Sequence, residues 1–220
     1  MTLPRTDVVP GLLAELQAFG ELIEPLDAAQ WAHATRCEGW AVGDVAAHVV
    51  GSIADVVSGQ LDGLGSSEVT AREVAERQGR SPAELVQELV AVTKLAADLA
   101  AVFDDASWEA PGPGGYEGTL GQGVEALWYD TYLHADDVRA ALGRTSARGP
   151  GLRASVHHVA FELDKQGWGP ALLAFDGMEQ VPVGTGGATR TGDALEFVLV
   201  ATGRTEPGAL GPDAPLNIYA

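Results

Sequence analysis

Four long segments of the chain repeat apolar residues at helical spacing, and this pattern limits the possible folds more than any other feature. In the clearest segment, residues 42–61, apolar side chains recur every three or four positions at Val45, Val49, Ile53 and Val56. The other three segments are residues 8–23, 82–103 and 120–142. Because helices with one apolar stripe bury that stripe against each other, the pattern predicts a four-helix bundle.

A change of composition divides the chain after the fourth segment. Residues 144–151 read RTSARGPG, which is typical of a linker, so we predict one domain at residues 1–147 and a second at residues 148–220. The second domain is predicted to be small and to mix helices with strands. Its predicted helices are residues 152–165 and 193–202, and its predicted strands are residues 171–175, 180–183 and 216–219.

The charge and the cysteine content exclude several classes of partner and site. The chain has 31 acidic residues, 13 basic residues and a net charge of −18, which excludes nucleic acid and anionic membranes as expected partners. The absence of a secretory signal and of a long apolar run predicts a cytoplasmic protein. We expect it to be a monomer or a homodimer. The single cysteine, Cys37, excludes a cysteine-rich metal site, and we interpret it as a small buried residue.

Three ionisable residues lie on or beside the predicted buried stripe of the fourth segment. Asp130 precedes His134 by four residues and Asp137 follows it by three, so all three side chains project the same way from a helix. Burying such groups without partners costs several kcal/mol, so they must be paired or must coordinate an ion. The predicted stripe consists of Leu120, Val124, Leu127, His134, Val138 and Ala141.

A third candidate ligand lies on the second segment, where His48 falls on or near the buried side. Together with Asp130 and His134 it would occupy three corners of a tetrahedron and leave the fourth for water or substrate, as in catalytic metal sites. The alternative is structural: Asp130 and His134 pair within their helix, and His48 is an ordinary core histidine. Asp137 either pairs with Arg139 or solvent or, where His134 binds an ion, hydrogen-bonds to His134 and supports it as a ligand.

Two motifs surround these histidines, and a third lies near the end of the chain. Residues 37–48 read CEGWAVGDVAAH, residues 134–143 read HADDVRAALG, and residues 202–204 read TGR. The first is similar to the pattern C-x-G-W-x-V-x-D-x-x-x-H and the second to the pattern H-x-x-D-x-x-x-A-x-G. Together with the third they resemble the mycothiol-dependent maleylpyruvate isomerase family, within the DinB-like superfamily, over nearly the whole chain.

This resemblance implies a mainly α fold, in which a DinB-like four-helix bundle is followed by a small α/β C-terminal domain. It implies a divalent ion, most often zinc with nickel, iron or manganese as alternatives, held by His48, Asp130 and His134. Asp130 stands where the family usually has glutamate. Arg204 matches a family arginine that faces the active site, so we expect it to be catalytic and to bind substrate, with Arg77 as a second carboxylate ligand.

The resemblance also predicts the chemistry. The ion would stabilise the thiolate of mycothiol or a similar low-molecular-weight thiol, which attacks a small electrophilic substrate that carries a carboxylate. The chain would then be an isomerase or an S-transferase. One alternative is a metal-dependent hydrolase of the same fold that uses bound hydroxide. Another is a noncatalytic small-molecule binding protein, which the shorter Asp130 keeps open.

Overall fold

The computed structural model describes residues 3–206 and 216–219, and it confirms a mainly helical chain with a small α/β part near the end. The described residues form nine helices and three strands. The described residues form two compact units: the first is Pro4–Ala147, and the second contains the described residues from Arg148 onward together with Leu3. Among the helices of the described ranges, none combines the length and the apolar character that crossing a membrane requires.

The first unit contains the four predicted long helices. They pack as a closed ring, in which the first and the second each contact both the third and the fourth. The second and fourth helices, which carry the two histidines, are therefore neighbours. The long helices are α1 (Arg5–Ile23), α3 (Val42–Ser58), α5 (Pro82–Val102) and α7 (Leu120–Ala141), and the short helices are α2 (Ala28–Trp31), α4 (Ser67–Glu76) and α6 (Asp105–Glu109).

Local signals in the sequence fix where the long helices begin and end. Ser81 accepts a hydrogen bond from the backbone N–H of Glu84, whose carboxylate accepts one from the N–H of Ser81 at 2.8 Å. Thr119 and Gln122 form the same reciprocal pair at the start of α7. Gly59 follows α3 with φ of 76°, a left-handed conformation that glycine adopts at little cost. These caps satisfy backbone groups that a helix end leaves unpaired.

The buried face of α7 differs from the predicted stripe in its first half. Trp128 and Tyr132 are 2% and 1% exposed, and these aromatic side chains bury more area than the leucines beside them. From Thr131 to Val138 every residue is buried. Three residues in the first half of the predicted stripe are only half-buried, namely Leu120, Val124 and Leu127, and so is Ala141 at its end.

The second unit combines two helices with a three-stranded sheet. Strand β1 (Ala171–Phe175) lies in the middle, antiparallel to β2 (Val181–Val183) and parallel to β3 (Ala188–Gly192). Leu173 lies opposite Val181 and Ala171 opposite Ala188. The predicted strand at residues 216–219 is wrong, because this segment forms a turn in which the N–H of Ile218 donates to Ala201. The helices are α8 (Pro150–Lys165) and α9 (Ala194–Ala201).

Replacing either of two glycines of α1 with alanine should change the stability of the protein, but in opposite directions. A Cβ atom at Gly11 would lie 2.1 Å from the ring of buried Trp128, whereas one at Gly20 would lie 3.5 Å from Leu89, an ordinary contact. We expect Gly11→Ala to lower the free energy of unfolding by about 1–3 kcal/mol through overpacking. Gly20→Ala should raise it by up to about 1 kcal/mol through helix propensity. Urea unfolding of both variants checks this, and equal stabilities would contradict the packing of α1 on α7.

Candidate metal centre

The structure brings His48, Asp130 and His134 together between α3 and α7. Asp130 lies between the two imidazoles: its Oδ2 atom is 3.5 Å from Nε2 of His48, and its Oδ1 atom is 3.4 Å from Nε2 of His134. The two imidazole rings meet edge to face, with their centroids 4.9 Å apart. Three potential ligand atoms, one from each residue, all lie within 4.8 Å of one another.

These separations fit a divalent ion of the size of zinc. Nitrogen and oxygen ligands bound at about 2.0–2.1 Å in tetrahedral geometry lie about 3.3–3.4 Å apart, close to the distances that join Asp130 to the histidines. His48 and His134 are 6% and 8% exposed, whereas the side chain of Asp130 is 31% exposed. The donor set therefore suits an ion that three protein ligands hold from one side.

Each histidine has its other ring nitrogen bonded to a separate carboxylate. Nδ1 of His48 lies 2.7 Å from Oε2 of Glu73, and Nδ1 of His134 lies 3.1 Å from Oδ2 of Asp137. A carboxylate only accepts hydrogen bonds, so the proton is assigned to Nδ1 of each ring. With an ion bound, this tautomer would leave the Nε2 lone pairs for it on the side of Asp130, as metal-binding histidines require.

Asp137 is itself held by a network behind His134. The Nε atom of Arg36 donates to Oδ1 of Asp137 at 3.1 Å, and Nη2 of Arg36 donates to the neighbouring Asp136 at 2.8 Å. The thiol of Cys37 donates to Oδ2 of Asp137 at 3.2 Å. Cys37 is half-buried in this polar network, so the interpretation of Cys37 as a small buried residue is wrong.

A second set of potential ligands, Cys37, His134 and Asp137, also lies within 4.8 Å. It shares His134 with the first set but uses the Nδ1 side of the ring. The guanidinium of Arg36 lies 2.9 Å from Oδ1 of Asp137, so a second cation placed there would meet a positive charge already in position. The Nε2 side of His134 is therefore the better candidate for an ion.

The two arginines predicted to bind substrate have different surroundings. Arg77 is buried, its Nε and Nη2 atoms donate to Glu88 at 3.1 and 2.7 Å, and its Nη1 atom donates to the carbonyl oxygen of Glu73. A substrate carboxylate would have to displace Glu88, so this arrangement favours a structural role for Arg77. Arg204 lies in the second unit just after α9, where its Nη1 atom donates to the carbonyl oxygen of Thr202. Its catalytic role stays a prediction.

When no ion is bound, the electrostatics of the site favour the charged forms of all three candidate ligands. Burial lowers the pKa of His134, but the charge of Asp130 and hydrogen bonds to Asp130, Asp137 and Cys37 outweigh this effect. The pKa of His134 is therefore raised well above its usual value. Burial likewise opposes charge on His48, but hydrogen bonds to Asp130 and Glu73 raise its pKa. Burial also acts against the charged form of Asp130, yet the two histidines hold its pKa well below the usual range.

These shifts predict that zinc stabilises the protein more strongly as the pH rises. The stability that charged His134 contributes is complete below about pH 6.5, the ordinary histidine pKa, and is lost as the pH rises through the raised value. Zinc requires the same imidazole to be neutral, so its stabilising effect should grow over that interval. Thermal unfolding in chelator and in excess zinc at several pH values checks both trends. A difference in Tm between the two conditions that shrinks with rising pH would contradict the assignment.

Three residues of the site were not predicted from the sequence as parts of it. Glu73 lies on the short helix α4, and no spacing relates it to His48, 25 residues earlier. Arg36 and Cys37 reach Asp137 from about 100 positions away along the chain. Their only signal is their position at the start of the first motif, which Cys37 opens and Arg36 immediately precedes.

Comparisons with known proteins bear on the fold and the family of the chain. Crystal structures of the mycothiol-dependent maleylpyruvate isomerase and of a histidine-to-alanine mutant of it are similar in fold, with TM-scores of 0.64 and 0.65. The similarity covers 97% of this chain and 96% of each of those chains, at 16% sequence identity. No curated protein sequence matches the chain significantly. The family model for the mycothiol maleylpyruvate isomerase N-terminal domain matches residues 12–139, more than half of the chain, so the chain belongs to this family.

Proposed function

We propose that this protein is a metal-dependent and thiol-dependent enzyme that isomerises a small electrophilic substrate or transfers a thiol to it. The observation that carries the proposal is the arrangement of His48 and His134, whose Nε2 atoms lie within 3.5 Å of Asp130 while their Nδ1 atoms bond to other carboxylates. Two neutral imidazoles and one carboxylate form a common ligand set for a catalytic divalent ion, and zinc is the ion that we expect.

Three protein ligands leave room for one ligand from solution, and this is where a thiol would act. An ion held there would lower the pKa of a thiol below its usual value of about 8.5 and so supply a thiolate near neutral pH. The chain's own residues hold the imidazoles in one tautomer and shield them from bulk water. Its own thiol, on Cys37, donates to Asp137 on the far side of His134, so we assign the nucleophile to a separate molecule.

Mycothiol is the thiol that we propose, because the matching family model and the similar crystal structures both carry its name. The substrate class follows from the same source: a small molecule with an activated double bond and a carboxylate. We propose Arg204 as the residue that binds this carboxylate, since a guanidinium forms paired hydrogen bonds with it. We also propose that the protein is cytoplasmic and that it is a monomer or a homodimer.

An assay that follows thiol and substrate separately tests the proposal. The zinc-loaded protein is incubated with mycothiol and maleylpyruvate, and both are quantified. In an isomerisation the thiol adds to the double bond, the new single bond rotates, and the thiol leaves again, so substrate changes geometry and free thiol is unchanged. In a transfer, one thiol is lost for each product formed.

The remaining outcomes identify the alternatives. Hydrolysis of the substrate in the absence of thiol, in which water adds as a bond breaks, would indicate the hydrolase that uses bound hydroxide. Bound zinc with no turnover of any of these kinds would favour the noncatalytic binding protein. His48→Ala should abolish thiol-dependent turnover, and a variant with full activity would contradict the assigned site.

A further inference from the structure

A buried glutamate from outside the four-helix bundle contacts the candidate metal centre. Glu73 lies on α4 and is 0% exposed. Its Oε2 atom is 2.7 Å from Nδ1 of His48, and the hydroxyl of Ser52 lies 3.3 and 3.4 Å from its two oxygens. A buried carboxylate is costly unless it is hydrogen-bonded, and both partners that offset this cost come from α3.

The packing of α4 on α3 is arranged around this contact. A Cβ atom at Gly51 would lie 2.6 Å from Cβ and 2.8 Å from Cγ of Glu73, so only glycine lets the two helices approach this closely. An ion pair between Arg72 and Asp55 joins the same two helices further along. Gly51, three residues after His48, therefore makes space for the carboxylate that reaches the histidine.

We propose that Glu73 is the positioning residue for His48. It accepts the Nδ1 proton, fixes the rotation of the ring and directs Nε2 towards the ion, while its negative charge makes the imidazole a stronger donor. His134 has the same kind of support from Asp137. The short helix α4 is therefore a part of the metal centre, although it is not a member of the bundle.

This inference rests on the proposed metal site and deepens it. Its test is the zinc affinity of the purified chain, measured by competition with a chromophoric chelator. We expect Glu73→Gln, which keeps an acceptor oxygen but removes the charge, to weaken zinc binding about 10–100-fold, the usual cost of losing such a partner. Cobalt(II), which substitutes for zinc and absorbs visible light, supplies a second readout: its d–d spectrum should change in this variant.

Asp55→Asn is the matched control. This substitution also replaces a carboxylate with an amide between α3 and α4, because Asp55 pairs with Arg72 of α4. Asp55 itself does not contact a histidine in the described part of the chain. We expect its zinc affinity to stay within about twofold of wild type. Ser52→Ala, which removes only a hydroxyl from Glu73, should fold readily and weaken zinc binding by a smaller factor than Glu73→Gln.

The outcomes separate this inference from the function on which it rests. If wild type binds no zinc, the proposed function fails and the inference fails with it. If wild type binds zinc and the Glu73→Gln variant binds it equally well, only the inference is overturned. Where Glu73→Gln does not fold, the Ser52→Ala variant takes its place, and equal zinc binding by that variant overturns the inference. Equal losses in Glu73→Gln and Asp55→Asn would also overturn it, because they would show that the docking of α4 matters and the hydrogen bond to His48 does not.

Discussion

Replacing His134 with alanine is expected to abolish stoichiometric zinc binding. His134 contributes Nε2 to the assigned site and is the one residue that both potential ligand sets share. Loss of a partner behind a ligand costs about 10–100-fold in metal affinity, so we expect loss of the ligand itself to cost more than about 100-fold. Elemental analysis of the purified variant and a competition titration with a chelator measure the effect.

The matched control for this variant is His33→Ala. His33 is an exposed histidine of the same unit, and its Nδ1 atom lies 3.3 Å from the carbonyl oxygen of Ala141. The His33 variant should keep wild-type zinc content. Zinc retained by the His134 variant, with wild-type helix content by circular dichroism, would rule out both ligand sets.

Replacing Asp137 with alanine is expected to damage both stability and metal binding. Asp137 is 0% exposed and accepts hydrogen bonds from Arg36, Cys37 and His134, all of which would lose a partner. Breaking a fully buried ion pair costs about 3–5 kcal/mol, and we expect about 2–4 kcal/mol here because Arg36 is one-quarter exposed. Zinc affinity should also fall about 10–100-fold, since His134 loses the group that orients it.

Asp136→Ala separates these two effects. Asp136 is equally buried and pairs with the same Arg36, but the structure gives it no bond to His134 within the described ranges. Its removal should lower the midpoint of urea unfolding and leave zinc affinity unchanged. If both variants lose zinc affinity to the same extent, then Asp137 acts only through the stability of the bundle.

The sequence predicts the helices of this fold well, because helix formation here is a local matter. The apolar spacing of α3 and the caps at Ser81 and Thr119 act within a few residues, and the structure places helix ends close to the expected positions. Strand β3 was not predicted, because its sequence ATRTG is largely exposed and shows no alternation of apolar residues. The segment 216–219 shows the opposite error: its composition suits a strand, but it forms a turn whose bond to Ala201 spans 17 positions.

The residues of the candidate site could likewise be predicted only where their spacing within one helix determines the contact. Asp130, His134 and Asp137 could be grouped from sequence because a helix places residues three and four apart on one face. His48 could be added because its own helix has a clear apolar side. Glu73 could not, because its contact depends on how closely α4 approaches Gly51, and this distance is a property of tertiary packing alone. Arg77 was assigned to substrate without such a constraint, and in the structure its nitrogen atoms are taken by Glu88 and Glu73.

X-ray absorption spectroscopy of the zinc-loaded protein, without added thiol, tests the central claim most directly. The assigned site consists of His48, Asp130 and His134, so all ligands should be nitrogen or oxygen at about 2.0–2.1 Å. The shell should include two imidazoles, and His48→Ala should remove one of them. A sulfur ligand at about 2.3 Å would place the ion at Cys37 on the Nδ1 side of His134 and contradict this assignment.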